Sequence, residues 1–217
     1  MCPSLLLIME RLKELLQASA ALHSHLCPRQ VLGVRTALAA EKALNLDFPR
    51  KDKRLLVILE TDGCYVDGVA IPAGVSVGRR TLRIEDIGKV AATFIDTKTG
   101  QALRIAPQNG VRERVAAYAP GDKNPYYFQL NGYQVMPDAE LFNIQPVRLA
   151  TPVEVILSRP GLRAQCDRCG EEIMNEREIH QAGSTFCRTC AGQAYYFPAD
   201  GSQSHPSSDG YPVEQGV

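Results

Sequence analysis

Arg54-Leu55-Leu56-Val57-Ile58-Leu59-Glu60 runs straight into Thr61-Asp62-Gly63-Cys64. Five aliphatic residues between two charged ones have the length and composition of a strand buried in a sheet. The short turn that follows delivers Cys64 at the strand end, bracketed by Asp62 and Asp67, in the kind of segment that usually carries functional groups. Upstream, residues 4–22 read as an amphipathic helix. Leu5, Ile8, Leu12, Leu15, Leu16 and Ser19 fall at three-and-four spacing, with Arg11, Lys13 and Glu14 outside that stripe. The segment His23-Ser24-His25-Leu26-Cys27-Pro28 interrupts it. Pro28 suits the first position of a second helix, capped by Cys27 and reaching about Leu44, with Val31, Val34 and Leu38 as its apolar stripe. Gly33 on that helix allows a close approach.

Downstream, residues 89–95 and 101–106 flank Asp96-Thr97-Lys98-Thr99-Gly100 and read as a hairpin. Residues 109–118 and 137–142 read as helices, residues 120–125 as a polar break, and residues 153–157 as a last strand. Arg159-Pro160-Gly161 is a natural linker. Helices come first, then strands with helices inserted, and no repeat recurs. This order predicts an α+β fold, a mixed sheet packed with helices, with a small four-cysteine module after it. The expected division is a core over 1–158, a zinc module over 162–197 and a flexible Gly-, Ser-, Pro- and Asp-rich tail over 198–217.

The chain has 217 residues, 45% hydrophobic and 22% charged, which suits one buried core with a small satellite. Lys plus Arg equals Asp plus Glu, 24 against 24, so no overall field draws nucleic acid or an anionic membrane. The apolar run 5–9 is short and leads into Glu10 and Arg11, unlike a signal sequence or a membrane span of about twenty residues. The expectation is a cytoplasmic protein with no membrane partner. In that compartment seven cysteines point to metal rather than disulfides. Cys2 is incidental.

Cys166-x2-Cys169, seventeen residues, then Cys187-x2-Cys190 matches four-cysteine zinc spacing. Each two-residue knuckle brings two sulfurs to one ion, and four thiolates close a tetrahedral shell, which makes the site structural. Roughly thirty residues cannot bury a core alone, so Zn2+ must supply most of the folding free energy of this module. His180 lies between the knuckles and is read as a surface residue. Arg163, Arg168, Arg177 and Arg188 are balanced by Asp167, Glu171, Glu172, Glu176 and Glu178. That favours protein contacts over nucleic acid as the module's role.

His23, His25 and Cys27 occupy alternate positions, which share one face of an extended segment. Cys27 at a helix N-terminus gains from the partial positive charge there, which favours the thiolate as ligand or nucleophile. Two core cysteines with two helix-end histidines is the plainer alternative. Both readings stay open on these residues alone.

Several stretches together resemble the FmdE family, whose name comes from formylmethanofuran dehydrogenase. They are His23-Ser24-His25-Leu26-Cys27-Pro28 with Gly33, Asp62-Gly63-Cys64-Tyr65-Val66-Asp67, residues 74–82, Asp86-Ile87-Gly88-Lys89, Ala102-Leu103-Arg104, Pro137-Asp138-Ala139-Glu140-Leu141-Phe142 with Pro146-Val147, and the four-cysteine module. The resemblance implies an α+β core, commonly an intertwined homodimer, with a zinc module in some members. It also implies a core pocket carried here by His23, His25, Cys27, Cys64 and Asp67, with Cys27, Cys64, His25 or Asp67 as catalytic candidates. Ser24 and Arg29 stand where the family usually has glycine, and Val75 where it often has a further cysteine. No more than three protein ligands are therefore expected for a second metal ion at His23, His25, Cys27 and Cys64. His25 is the best third ligand and His23 the weaker one, and Arg29 adds positive charge at the pocket mouth.

Three functions follow from these features. The leading one is a metal-binding accessory protein of a molybdenum or tungsten oxidoreductase system, with a Cys/His pocket in the core. The second is an enzyme whose nucleophile is Cys27 or Cys64, with a histidine as acid or base. The third is a metal-sensing or regulatory protein whose zinc module contacts RNA or protein. The chain lacks cysteine-rich iron–sulfur runs and a Gly-rich phosphate loop, which argues against formylmethanofuran oxidation by this chain itself.

Overall fold

The structure is a computed structural model that describes residues 3–199; the expected tail falls almost wholly outside them. The chain divides into two compact units, Met1–Val153 and Glu154–Val217. The first opens with helices α1 (Pro3–Ala21) and α2 (Pro28–Leu44), then strand β1 (Leu55–Leu59) and helix α3 (Cys64–Ala73). Strands β2 (Leu82–Ile84), β3 (Ala92–Asp96) and β4 (Ala102–Pro107) follow. Helix α4 (Val111–Arg114) continues into a 3-10 turn at Val115–Tyr118. Then come α5 (Pro125–Val135), α6 (Asp138–Leu141) and strand β5 (Phe142–Pro146). One mixed sheet has the order β2-β1-β3-β4-β5. β1 and β2 are parallel, with α3 as the crossover between them, and the other pairings are antiparallel.

Register places Val57 opposite Phe94 and Phe94 opposite Leu103, so one sheet face presents a continuous apolar surface. It joins Val31, Val34 and Ala37 of α2 and Tyr65 and Val69 of α3 in a single core cluster. α2 is buried along most of its length, more than the narrow stripe read from its sequence. It sits centrally and packs against α1, α3 and α5. Both ends of β1 are clamped by bidentate ion pairs. Arg54 holds Asp96 at 2.8 and 2.6 Å, and Arg104 holds Glu60 at 2.6 and 2.6 Å.

Helices α2 and α3 cross at very short range. A β-carbon added to Gly33 would lie 2.5 Å from the Tyr65 carbonyl oxygen, and one added to Gly68 would lie 2.4 Å from that of Gln30. Two backbones therefore touch with no side chain between them. Buried Tyr65 strengthens the pair by donating its hydroxyl to Thr36 Oγ1 at 3.1 Å, and burial pushes its phenol far above the usual range.

Residues 153–157, expected as a strand, form a short helix, α7 (Val153–Leu157). Pro152 before it and Glu154 in its first turn suit a helix start, and five residues of mixed pattern do not specify a strand. The second unit continues as two hairpins: β6 (Arg163–Gln165) with β7 (Glu172–Met174), and β8 (Ile179–Gln181) with β9 (Ser184–Phe186).

The helix crossing and the ion pair give two expected outcomes. Gly68→Ala should cost at least about 2 kcal/mol in denaturant unfolding, because the clash is with backbone. Gly78→Ala, where nothing lies within 4 Å of the added carbon, should change stability by under about 0.5 kcal/mol. Equal stabilities would contradict the close crossing. Arg54 holds the buried Asp96 carboxyl well below the usual range, against the opposing effect of burial. A depressed folded-state pKa adds stability above the unfolded-state value of about 3.9 and loses it as pH falls toward the folded value. Asp96→Asn should therefore destabilise by about 1.5–3 kcal/mol at pH 7, with the deficit shrinking below about pH 4. A deficit independent of pH would contradict the ion pair.

Candidate functional site

In the second unit the first knuckle forms the turn between β6 and β7, and the second follows β9. Cys166, Cys169, Cys187 and Cys190 place their sulfurs within 4.8 Å of one another. A tetrahedral Zn–S bond of about 2.3 Å requires sulfurs about 3.8 Å apart, and Cys169 Sγ and Cys187 Sγ stand 3.9 Å apart. Backbone amides point inward, that of Cys187 donating to Cys166 Sγ at 3.3 Å and that of Cys190 to Cys187 Sγ at 3.4 Å. Burial opposes ionisation of Cys166, but amides of Cys169, Cys187 and Arg168 outweigh it and bring its thiol down to about 6. Burial and the neighbouring thiols push Cys190 up to about 12. A divalent cation resolves this conflict by displacing the protons, so the donor set fits zinc. Arg168 braces the knuckle, its guanidinium 5.5 Å from the Phe186 ring centroid and donating to the Cys190 carbonyl at 3.0 Å. His180 is exposed, with Nδ1 3.3 Å from Thr185 Oγ1, and takes no part in the sulfur cluster.

In the first unit the α2–α3 crossing brings two helix N-termini together. Cys27 is the N-cap of α2 and Cys64 the first residue of α3. Gly63, at φ 75° and ψ −156°, turns β1 into α3 in a conformation open essentially to glycine alone. Burial pushes the Cys64 thiol up, and the nearby Cys27 thiol pushes it further. The two sulfurs are thus neighbours. Gln30, fully buried, fixes the segment before α2. It accepts from the Cys27 amide at 2.9 Å and donates to the Ser19 carbonyl at 2.9 Å.

The histidines fall differently from the expected alternation. Ser24 takes φ 61°, so the segment is a left-handed turn rather than an extended strand. His25 is exposed, whereas His23 places Nε2 2.6 Å from Asp67 Oδ2 on α3. His23 therefore displaces His25 as the histidine tied to this region, because the turn at Ser24 breaks the shared face. Among the described residues, the four zinc-module cysteines form the group of three or more ligand side chains closing within 4.8 Å; His23, Cys27 and Cys64 are not brought that close together. Val75 is buried among apolar neighbours, and Arg29 is exposed.

Tyr126 was not singled out by the sequence. Its hydroxyl donates to the Leu26 carbonyl at 3.1 Å, and its phenol is raised by burial and then by the nearby Cys27, Tyr127 and Cys64. The signal available was Asn124-Pro125, a cap and first-turn pair that opens α5, with Asn124 Oδ1 accepting from the Tyr126 amide at 2.9 Å.

A mixed α+β core with a thiol pair at two helix ends and a four-cysteine zinc module defines the class. The family described as "FmdE, Molybdenum formylmethanofuran dehydrogenase operon" matches residues 22–143, more than half of the chain, and the chain belongs to it. Residues 160–196 match the "Prokaryotic dksA/traR C4-type zinc finger". A "Probable S-adenosyl-L-methionine-binding protein" of Archaeoglobus fulgidus is 24% identical over 211 residues, covering 85% of this chain and 54% of that protein. The chain thus spans about half the length of this curated relative. A crystal structure of a tungsten formylmethanofuran dehydrogenase FmdE-like protein from Syntrophus aciditrophicus matches with a TM-score of 0.55 and 17% identity. The match covers 86% of this chain and 95% of that one, and shows the shared fold. Among the described residues no helix is long and apolar enough to cross a membrane.

Replacing Cys187 with Ser should remove one equivalent of zinc and make residues 160–196 sensitive to protease while the first unit stays resistant. Full zinc content with an intact C-terminal unit would contradict the assignment.

Proposed function

We propose that this chain is a metal-binding accessory protein of a molybdenum or tungsten oxidoreductase system, with a second metal ion held in its core. The observation that carries this reading is the thiol pair, Cys27 on α2 and Cys64 on α3, at two converging helix N-termini. Paired thiols whose protons an arriving cation displaces select soft or borderline ions. His23 does not close on both thiols as the structure stands, and would join a metal there only with a shift of its side chain. A metal-binding imidazole usually donates its other ring N–H to a carboxylate, and Asp67 sits where it can accept one from Nε2, leaving the Nδ1 lone pair for a metal. The oxidoreductase association rests on the operon for which the family is described. The zinc module, with its balanced surface charge, serves in this reading as a protein contact.

A second reading treats one thiol as a nucleophile, with the His23–Asp67 pair as an oriented acid–base group. Metal analysis separates the two. Purified protein reconstituted with Zn2+ should hold two equivalents per chain, and Cys64→Ala should hold one. One equivalent in both proteins would contradict the core metal and favour the nucleophile.

A further inference from the structure

A cleft of ≈ 410 Å3 opens beside the first turn of α2, between the loop that leads into α4 and the inner side of α5. That volume falls at the small end of the range for small-molecule sites, about 300–1,000 Å3. Leu32 and Val111 supply an apolar wall, while Arg29, Arg112 and Gln129 supply polar edges. Among the described residues neither arginine is held in an ion pair, unlike Arg35, Arg54 and Arg104 elsewhere in this unit.

Tyr133 also lines the cleft. The residue as a whole is only 1% exposed, and its hydroxyl has no hydrogen-bond partner among the described residues but is not sealed off from the cleft. Burial pushes this phenol up, while Arg112 draws it down and Glu113 raises it again, so both charged groups lie within electrostatic reach of it. A hydroxyl that reaches the cleft with no internal partner, beside two guanidinium groups outside any ion pair and an apolar wall, is an arrangement suited to a ligand.

We propose that this cleft binds a small phosphate ester. Two fixed positive charges match a dianion better than a monoanion, and a phosphate offers three terminal oxygens to guanidinium and hydroxyl donors where a carboxylate offers two. The phosphate accepts from Arg29, Arg112 and the Tyr133 hydroxyl, and the organic part lies against Leu32 and Val111. The Glu113 carboxylate, also in the lining, accepts from hydroxyl groups on the ligand, which favours a sugar phosphate or nucleoside monophosphate. The site uses none of the cysteines or histidines, and although Arg29 lies two positions after Cys27 its test needs no bound metal.

Calorimetric titration of the full chain with AMP and with ribose 5-phosphate tests it, with adenosine and inorganic phosphate as the separate halves. At least one phosphate ester should bind at least about tenfold more tightly than either half. Tyr133→Phe should weaken that binding about tenfold without lowering Tm, since the hydroxyl it removes supports no internal hydrogen bond. Arg112→Gln should weaken it similarly, and Lys98→Gln, at an exposed cation on the hairpin turn, should leave it unchanged. The proposal is overturned if neither ester binds, or if binding survives Tyr133→Phe and Arg112→Gln. Equal loss with Lys98→Gln would also overturn it, by showing only diffuse charge attraction.

Discussion

The first unit depends on two helix backbones meeting at Gly33 and Gly68 with no side chain between them. Each glycine leaves room for a carbonyl that any β-carbon would strike. α2 can therefore lie at the centre of the unit, and α3 can return the chain from β1 to the parallel β2 across it. The same contact aligns the two helix starts, so the thiols of Cys27 and Cys64 become neighbours although 37 positions separate them in the sequence. Widening this crossing would part the thiols as well as loosen the core. Packing and candidate chemistry therefore share one constraint.

The two units meet the cost of ordering in different ways. The first buries a continuous apolar cluster from helices and sheet, and two of its ion pairs secure the ends of β1. The described residues of the second form a small cluster, Cys166, Ile173 and Cys190, in which two of the three are zinc ligands. Here the metal takes the part that aliphatic burial plays in the core, which is why thiols with opposed proton affinities can sit so close.

Much of this was legible in the sequence, and the exceptions have physical causes. The aliphatic run of β1, the proline-started α2 and the spaced cysteine knuckles each carry a strong local signal. α3 does not. Cys64–Ala73 contains Gly68 and Pro72, both poor helix residues, and it is helical because packing against α2 overrides propensity. α5 is rich in aromatic residues and contains Gly132, so its pattern reads weakly despite its Asn124 cap. β5 is an edge strand that ends in Pro146 and is mostly exposed, which removes the usual alternation. The histidine assignment turned on one backbone angle, the left-handed Ser24, that spacing alone does not reveal. The Tyr133 cleft assembles residues from α2, a loop and α5, and no local pattern marks it.

The central claim is that the glycine crossing makes a two-thiol metal site from Cys27 and Cys64. The most direct measurement is the absorption spectrum of the Co2+-loaded chain with all four module cysteines changed to Ser, leaving the core thiols as the cobalt-binding pair. The account predicts a thiolate-to-cobalt charge-transfer band that disappears equally with Cys27→Ser and with Cys64→Ser. A band that survives either substitution, or no band in a protein whose first unit remains folded, would contradict it.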